Sequence, residues 1–121
     1  MMPVNIPRSV RAYPIAFGPR PMLTGEVYAF EAEPLPGDYH PSCLALVDKH
    51  DSFVIEQIEL GTSKQLGHDI AGHTFRLEQG LALTFGILRK GQVLRLTVRC
   101  EAGATFRAVM TGALAEMEDP T

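Results

Sequence analysis

The sequence predicts an all-β chain: a single-domain antiparallel β-sandwich of jelly-roll-like plan, with seven or eight short strands and an extended, proline-rich N-terminal arm. Three observations predict it. Strand-like apolar runs recur at spacings of roughly ten residues, glycine, proline and aspartate punctuate the intervals, and no stretch holds the apolar period of a long helix. With 121 residues, 45% hydrophobic and 21% charged, the chain suits one globular core.

Residues 1–22, "MMPVNIPRSVRAYPIAFGPRPM", hold Pro3, Pro7, Pro14, Pro19 and Pro21, which exclude a helix or a central strand. They predict an extended arm with one edge strand around residues 10–17. The sandwich domain is expected over 23–115 and an acidic tail over 116–121. Within the domain, "GEVYAFEAEP" alternates and ends at the turn residues "PLPGD", and "SCLALVD" is a short buried run. In "SFVIEQIEL" the apolar set changes face partway, which predicts a β-bulge near Glu56 and Gln57. Next come "HTFRLE" and "LALTFGI", and then "LRKGQ", a hairpin turn in which Gly91 can take positive φ. "QVLRLTVRC" is the cleanest half-buried strand, with Leu94, Leu96, Val98 and Cys100 opposed by Arg95, Thr97 and Arg99. "TFRAVMTGAL" is the last strand, and "LAEME" after it has room for one helical turn. Phe53, Ile58, Leu94, Leu96, Phe106 and Met110 are the expected core.

The chemical signals are sparse. The formal charge is -3 and the 11 Lys and Arg residues are scattered, so no phosphate-tracking surface and no direct nucleic-acid binding are predicted. No apolar run is long enough for a membrane helix, and "MMPVNIPRSV" lacks the apolar core of a cleavable export signal. Cys43 and Cys100 have no CxxC pairing and sit in apolar runs, as buried thiols do. The densest polar motif is "LGHDIAGH", residues 66–73. His68 and His73 are five apart, which turns them to opposite faces of an extended chain. A metal held by both histidines therefore needs a bent loop and a third ligand from Asp69, His40, Asp38 or His50. A solvated loop with Asp69 capping a turn is the simpler reading, and no metal or other cofactor is expected.

Ser42, Ser52 and Ser63 lack a GxSxG elbow, and Pro41 separates His40 from Cys43. Glu31, Glu33, Glu56, Glu59 and Glu78 fit a solvated sheet face as well as an acid pair. No catalytic residue is predicted, and the chain is read as a non-enzyme. The arm, in contrast, is apolar at Ile6, Val10, Tyr13, Ile15, Phe17 and Met22, which suggests an interface with neighbouring subunits.

The runs "SFVIEQIELGTSKQL" and "TFRAVMTGAL" resemble segments of small bacteriophage virion-associated β-sandwich proteins, over residues 43–65 and 92–114. The resemblance implies a jelly-roll-type sandwich that builds or decorates a capsid, as a major, minor or decoration protein, without catalysis. It also implies residence in the virion after synthesis in a host cytoplasm, and partners that are further copies or other capsid proteins. "GHDIAGH" inherits no role from it. The competing expectation is a small-molecule or glycan-binding β module, assisted by a metal at His68, Asp69 and His73.

Overall fold

The computed structural model describes residues 7–75 and 85–117. Two antiparallel sheets pack face to face. The strands are β1 (Pro7–Ala12), β2 (Ile15–Met22), β3 (Val27–Ala32), β4 (Asp38–Leu46), β5 (Phe53–Leu60), β6 (Ser63–Lys64), β7 (Ile70–Ala71), β8 (Leu94–Cys100) and β9 (Ala104–Met117). The only helical pieces among the described residues are 3-10 turns at His50–Ser52 and Gly72–Phe75.

The first sheet is built on β9, which pairs with β4 along one side and with β1 and β2 in succession along the other. The second has the order β3, β8, β5, and β6 and β7 both pair with the far side of β5. β8 forms because its apolar residues fall on alternate positions, so Leu94, Leu96, Val98 and Cys100 are buried on one face. In β5 the register with β8 shifts between Ile55 and Gln57, and there the buried face changes. The extra residue lets Phe53, Ile55, Ile58 and Leu60 all reach the core. Gly91 has φ 84 in the turn before β8.

Aromatic rings join the two sheets. Phe106 of β9 lies 5.1 Å from Phe30 of β3 and 4.9 Å, edge on, from Phe53 of β5. Phe17 of β2 meets Phe30 at 6.2 Å. The expected core residues Phe53, Ile58, Leu94, Leu96, Phe106 and Met110 are all buried. Each such side chain stabilises the folded chain by roughly 1.5–3 kcal/mol through burial alone.

Residues 7–22 require a correction. They do not form an arm beside the sandwich; they form β1 and β2, paired with β9 from Pro7↔Met117 to Met22↔Ala104. Proline is compatible with this because, among the described residues, each of these strands has one free side, where a missing N–H breaks no ladder bond. A shift of register between Phe17 and Arg20 takes up Gly18 at φ 86. A side chain at Gly18 would collide with the Phe106 carbonyl, so the strand passes closest to β9 where no Cβ exists.

Three further expectations change. "HTFRLE" begins as a 3-10 turn, and its remainder, like most of "LALTFGI", lies outside the described residues. "LAEME" continues β9 to Met117, because β1 and Asp38 pair with it there. The described residues already hold nine strands against the expected seven or eight: β1 and β2 come from the supposed arm, and β6 and β7 are two-residue pieces. Cys43 and Cys100 are not joined by a disulfide. No helix among the described residues is long and apolar enough to cross a membrane.

Candidate functional site

The structure separates the residues that sequence reasoning grouped as an interface. Ile15, Phe17 and Met22 are buried in the chain's own core, at 9%, 4% and 3% exposure. Alternation along β2 turns Ile15 and Phe17 inward, and the register shift between Phe17 and Arg20 brings Met22 to the same face, so all three are used in folding. Tyr13 packs against the core edge, with its ring 6.2 Å from that of Tyr39. Val10 alone of the described set is exposed, and Ile6 lies outside the described residues.

The polar loop is organised by an arginine. Asp69 Oδ2 accepts from Arg99 Nη1 at 3.0 Å, and the same nitrogen donates to Glu56 at 2.8 Å. Glu101 lies 3.6 Å from Nη2. The hydrogen bonds to Asp69 first and Glu56 second raise the Arg99 pKa. His68 Nδ1 lies 2.8 Å from the Asp69 carbonyl oxygen, and the side chain of His73 lies outside the described residues. Among the described residues, no group of three His, Cys, Asp or Glu side chains is placed to hold a metal. Asp69 anchors the loop to β8 through charge-assisted hydrogen bonds.

An open polar cleft of about 410 Å³ lies at one end of the sandwich, lined by Asp48, Lys49, Ser52, Gly103, Thr105 and Arg107. Backbone bonds from Val47 N–H to the Arg107 carbonyl and from Glu101 N–H to the Ser52 carbonyl, at 3.0 and 2.7 Å, tie its walls together. It offers solvent two cations and two hydroxyls around one carboxylate.

The strand edges differ more sharply, and they show what sequence reasoning missed. Open strand edges invite pairing with another chain, so folded proteins usually blunt them. β4 is capped where Tyr39 and Leu88 exchange both backbone bonds, at 2.7 and 2.9 Å. β5 is covered by β6 and β7. β2 carries Pro19 and Pro21, and β1 carries Pro7, Arg8 and Arg11. β3, "VYAFEA", has no proline and no basic residue, and it pairs only with β8 among the described residues.

The rim at the start of β3 is also apolar. Leu23 is 77% exposed, Val27 50% and Tyr28 37%. It is held rigidly: Arg20 stacks on the Tyr28 ring at 3.7 Å from the centroid and reaches Glu26 at 3.0 Å. Glu26 also accepts from the Leu23 N–H at 3.0 Å. That bond and the Arg20 guanidinium hold the Glu26 carboxyl below its ordinary pKa. The Nε of Arg20 is buried without a hydrogen-bond partner.

Comparison with known proteins finds no match: no family model, no curated protein and no solved structure is significantly similar to this chain.

Proposed function

We propose that this chain is a non-enzymatic structural protein that assembles through its sandwich, in the manner of a capsid or virion-associated protein. The observation that carries the reading is the apolar rim of Leu23, Val27 and Tyr28, exposed beside a strand edge that is unblunted and unpaired among the described residues. Exposed apolar side chains on both faces of an open strand edge give a joining strand something to cover.

The strand order supports a jelly-roll plan. β2, β9, β4 and the Leu88 bridge occupy one sheet in that sequence, and β3, β8, β5 and the β6–β7 pair occupy the other. Successive strands from β2 to β5 thus alternate between the sheets, as two nested Greek keys require. Jelly rolls serve capsids, lectins and other roles, so the plan alone does not choose among them. The exposed rim supports a role in assembly.

Copies of the chain, or this chain and another capsid protein, are the proposed partners. The test is the solution mass of untagged protein, by light scattering on a size-exclusion column over a hundredfold range of loading. The expected result is a discrete multiple of the 13.3 kDa chain mass that gives way to smaller species on dilution. A 13.3 kDa species at every concentration overturns self-assembly.

A further inference from the structure

We infer that the edge of β3 left open among the described residues is a two-fold pairing surface, at which a second copy of this chain adds its own β3 antiparallel with Ala29 opposite Ala29. The inference rests on the assembly reading above and names the contact that the reading leaves open.

Backbone direction comes first. The Cys100 N–H donates to the Glu26 carbonyl at 2.8 Å, which turns Glu26 toward β8. Polar groups of successive residues in a strand point to opposite sides. Tyr28 and Phe30 are therefore bonded to β8, and the N–H and C=O groups of Val27, Ala29 and Glu31 point away from it. The other side of β8 agrees. The Gly61 N–H donates to the Val93 carbonyl at 2.9 Å, so the odd-numbered residues of β8 face β5 and the even-numbered ones face β3.

The partner follows from this parity. A strand pairing with β3 must offer outward-facing backbone groups at every second residue. A second β3, run antiparallel, does so when Val27 stands opposite Glu31, Ala29 opposite Ala29, and Glu31 opposite Val27. Each of these pairs exchanges both its hydrogen bonds. Sliding by one residue sets bonded groups against free ones, and centring the axis on Phe30 loses the Val27 pairs.

Side chains accept the same register. Val27, Ala29 and Glu31 are exposed on the outer face, and Tyr28 and Phe30 lie on the inner one. The one carboxylate of the strand, Glu31, meets the neutral Val27 of the other copy. On the inner face Tyr28 comes opposite Phe30, a cross-strand aromatic pair that covers the exposed part of Tyr28. Glu31 already holds Arg95 at 2.8 Å on its own sheet, so its charge enters the contact compensated. An isologous two-fold contact asks for this self-complementarity, and strand addition supplies its affinity through main-chain bonds.

Two variants test the inference. Ala29→Pro removes an N–H that points away from β8, so the ladder inside the chain stays intact. Ala29→Lys keeps the backbone and sets two like charges against each other at the axis. Both are measured beside the native protein by light scattering, with circular dichroism and thermal unfolding as checks on folding. The expected result is a native species of twice 13.3 kDa or a larger even multiple, and a folded 13.3 kDa monomer for each variant. If Ala29→Pro fails to fold, Ala29→Lys alone decides. A native oligomer whose mass the folded variants retain overturns the β3 contact and leaves assembly standing. A native monomer at every concentration overturns both.

Discussion

Phe106→Ala is expected to lower the stability of the folded chain by about 3–5 kcal/mol, the range for truncating a fully buried phenylalanine. Phe106 has no exposed surface and touches the rings of Phe30 and Phe53, so it links β9 to the opposite sheet at two points. Its loss opens a cavity between the sheets that neither neighbour can fill: Phe30 is also held edge on by Phe17 and Tyr28, at 6.2 and 4.7 Å. Since small domains have only about 5–15 kcal/mol of stability, the variant should unfold at much lower denaturant concentration, or not fold. Chemical denaturation followed by circular dichroism measures this. A loss under about 1 kcal/mol would mean that the aromatic cluster does not hold the sheets together.

The second large effect is alkaline. Tyr39 is fully buried, its hydroxyl donates to the Tyr13 carbonyl at 2.7 Å, and its titration is pushed up to about 12, by burial first and by Tyr13 second. The unfolded chain releases the same proton near the ordinary value of 10.0. Below that pH the stabilisation is fully present, because both states keep the proton. As pH rises through 10 and on to 12 the unfolded state loses the proton first, and the folded state is destabilised by about 3 kcal/mol in all. Denaturation midpoints between pH 8 and pH 12 should fall over that window. Tyr39→Phe is expected to flatten the fall, at a cost of roughly 1 kcal/mol at neutral pH for the donor lost to Tyr13. An equal alkaline fall in the variant would assign the effect to other groups.

Legibility in the sequence followed the physics of each element. β8 could be read because it is a central strand with one buried face, and strict alternation is its only solution. The bulge in β5 could be read because Phe53, Ile55, Ile58 and Leu60 cannot share one face without it. β1 and β2 were read only in part, as one edge strand around residues 10–17, because their prolines argue against a central strand yet are harmless on the free side of an edge strand. Whether a strand is central or at an edge depends on pairings far along the chain, and periodicity does not carry that information. The apolar residues of the arm were correctly seen as too many for water, but what covers Ile15, Phe17 and Met22 is the chain itself.

The candidate site was illegible for the same reason. Asp69 and Arg99 are 30 residues apart, and only the packing of β7 and β8 against β5 brings them together. "GHDIAGH" drew attention because its polar residues are neighbours in sequence, whereas its anchoring partner is not. "VYAFEA" reads as an ordinary half-buried strand until the sheet order shows nothing beyond it among the described residues.

The most direct test of assembly through β3 is amide hydrogen exchange, read residue by residue at high and low protein concentration. The N–H groups of Tyr28 and Phe30, bonded to β8, should be protected at both. Those of Val27, Ala29 and Glu31 should be protected at high concentration and exchange rapidly on dilution, as the second β3 departs. Rapid exchange of Val27, Ala29 and Glu31 at every concentration would contradict the pairing.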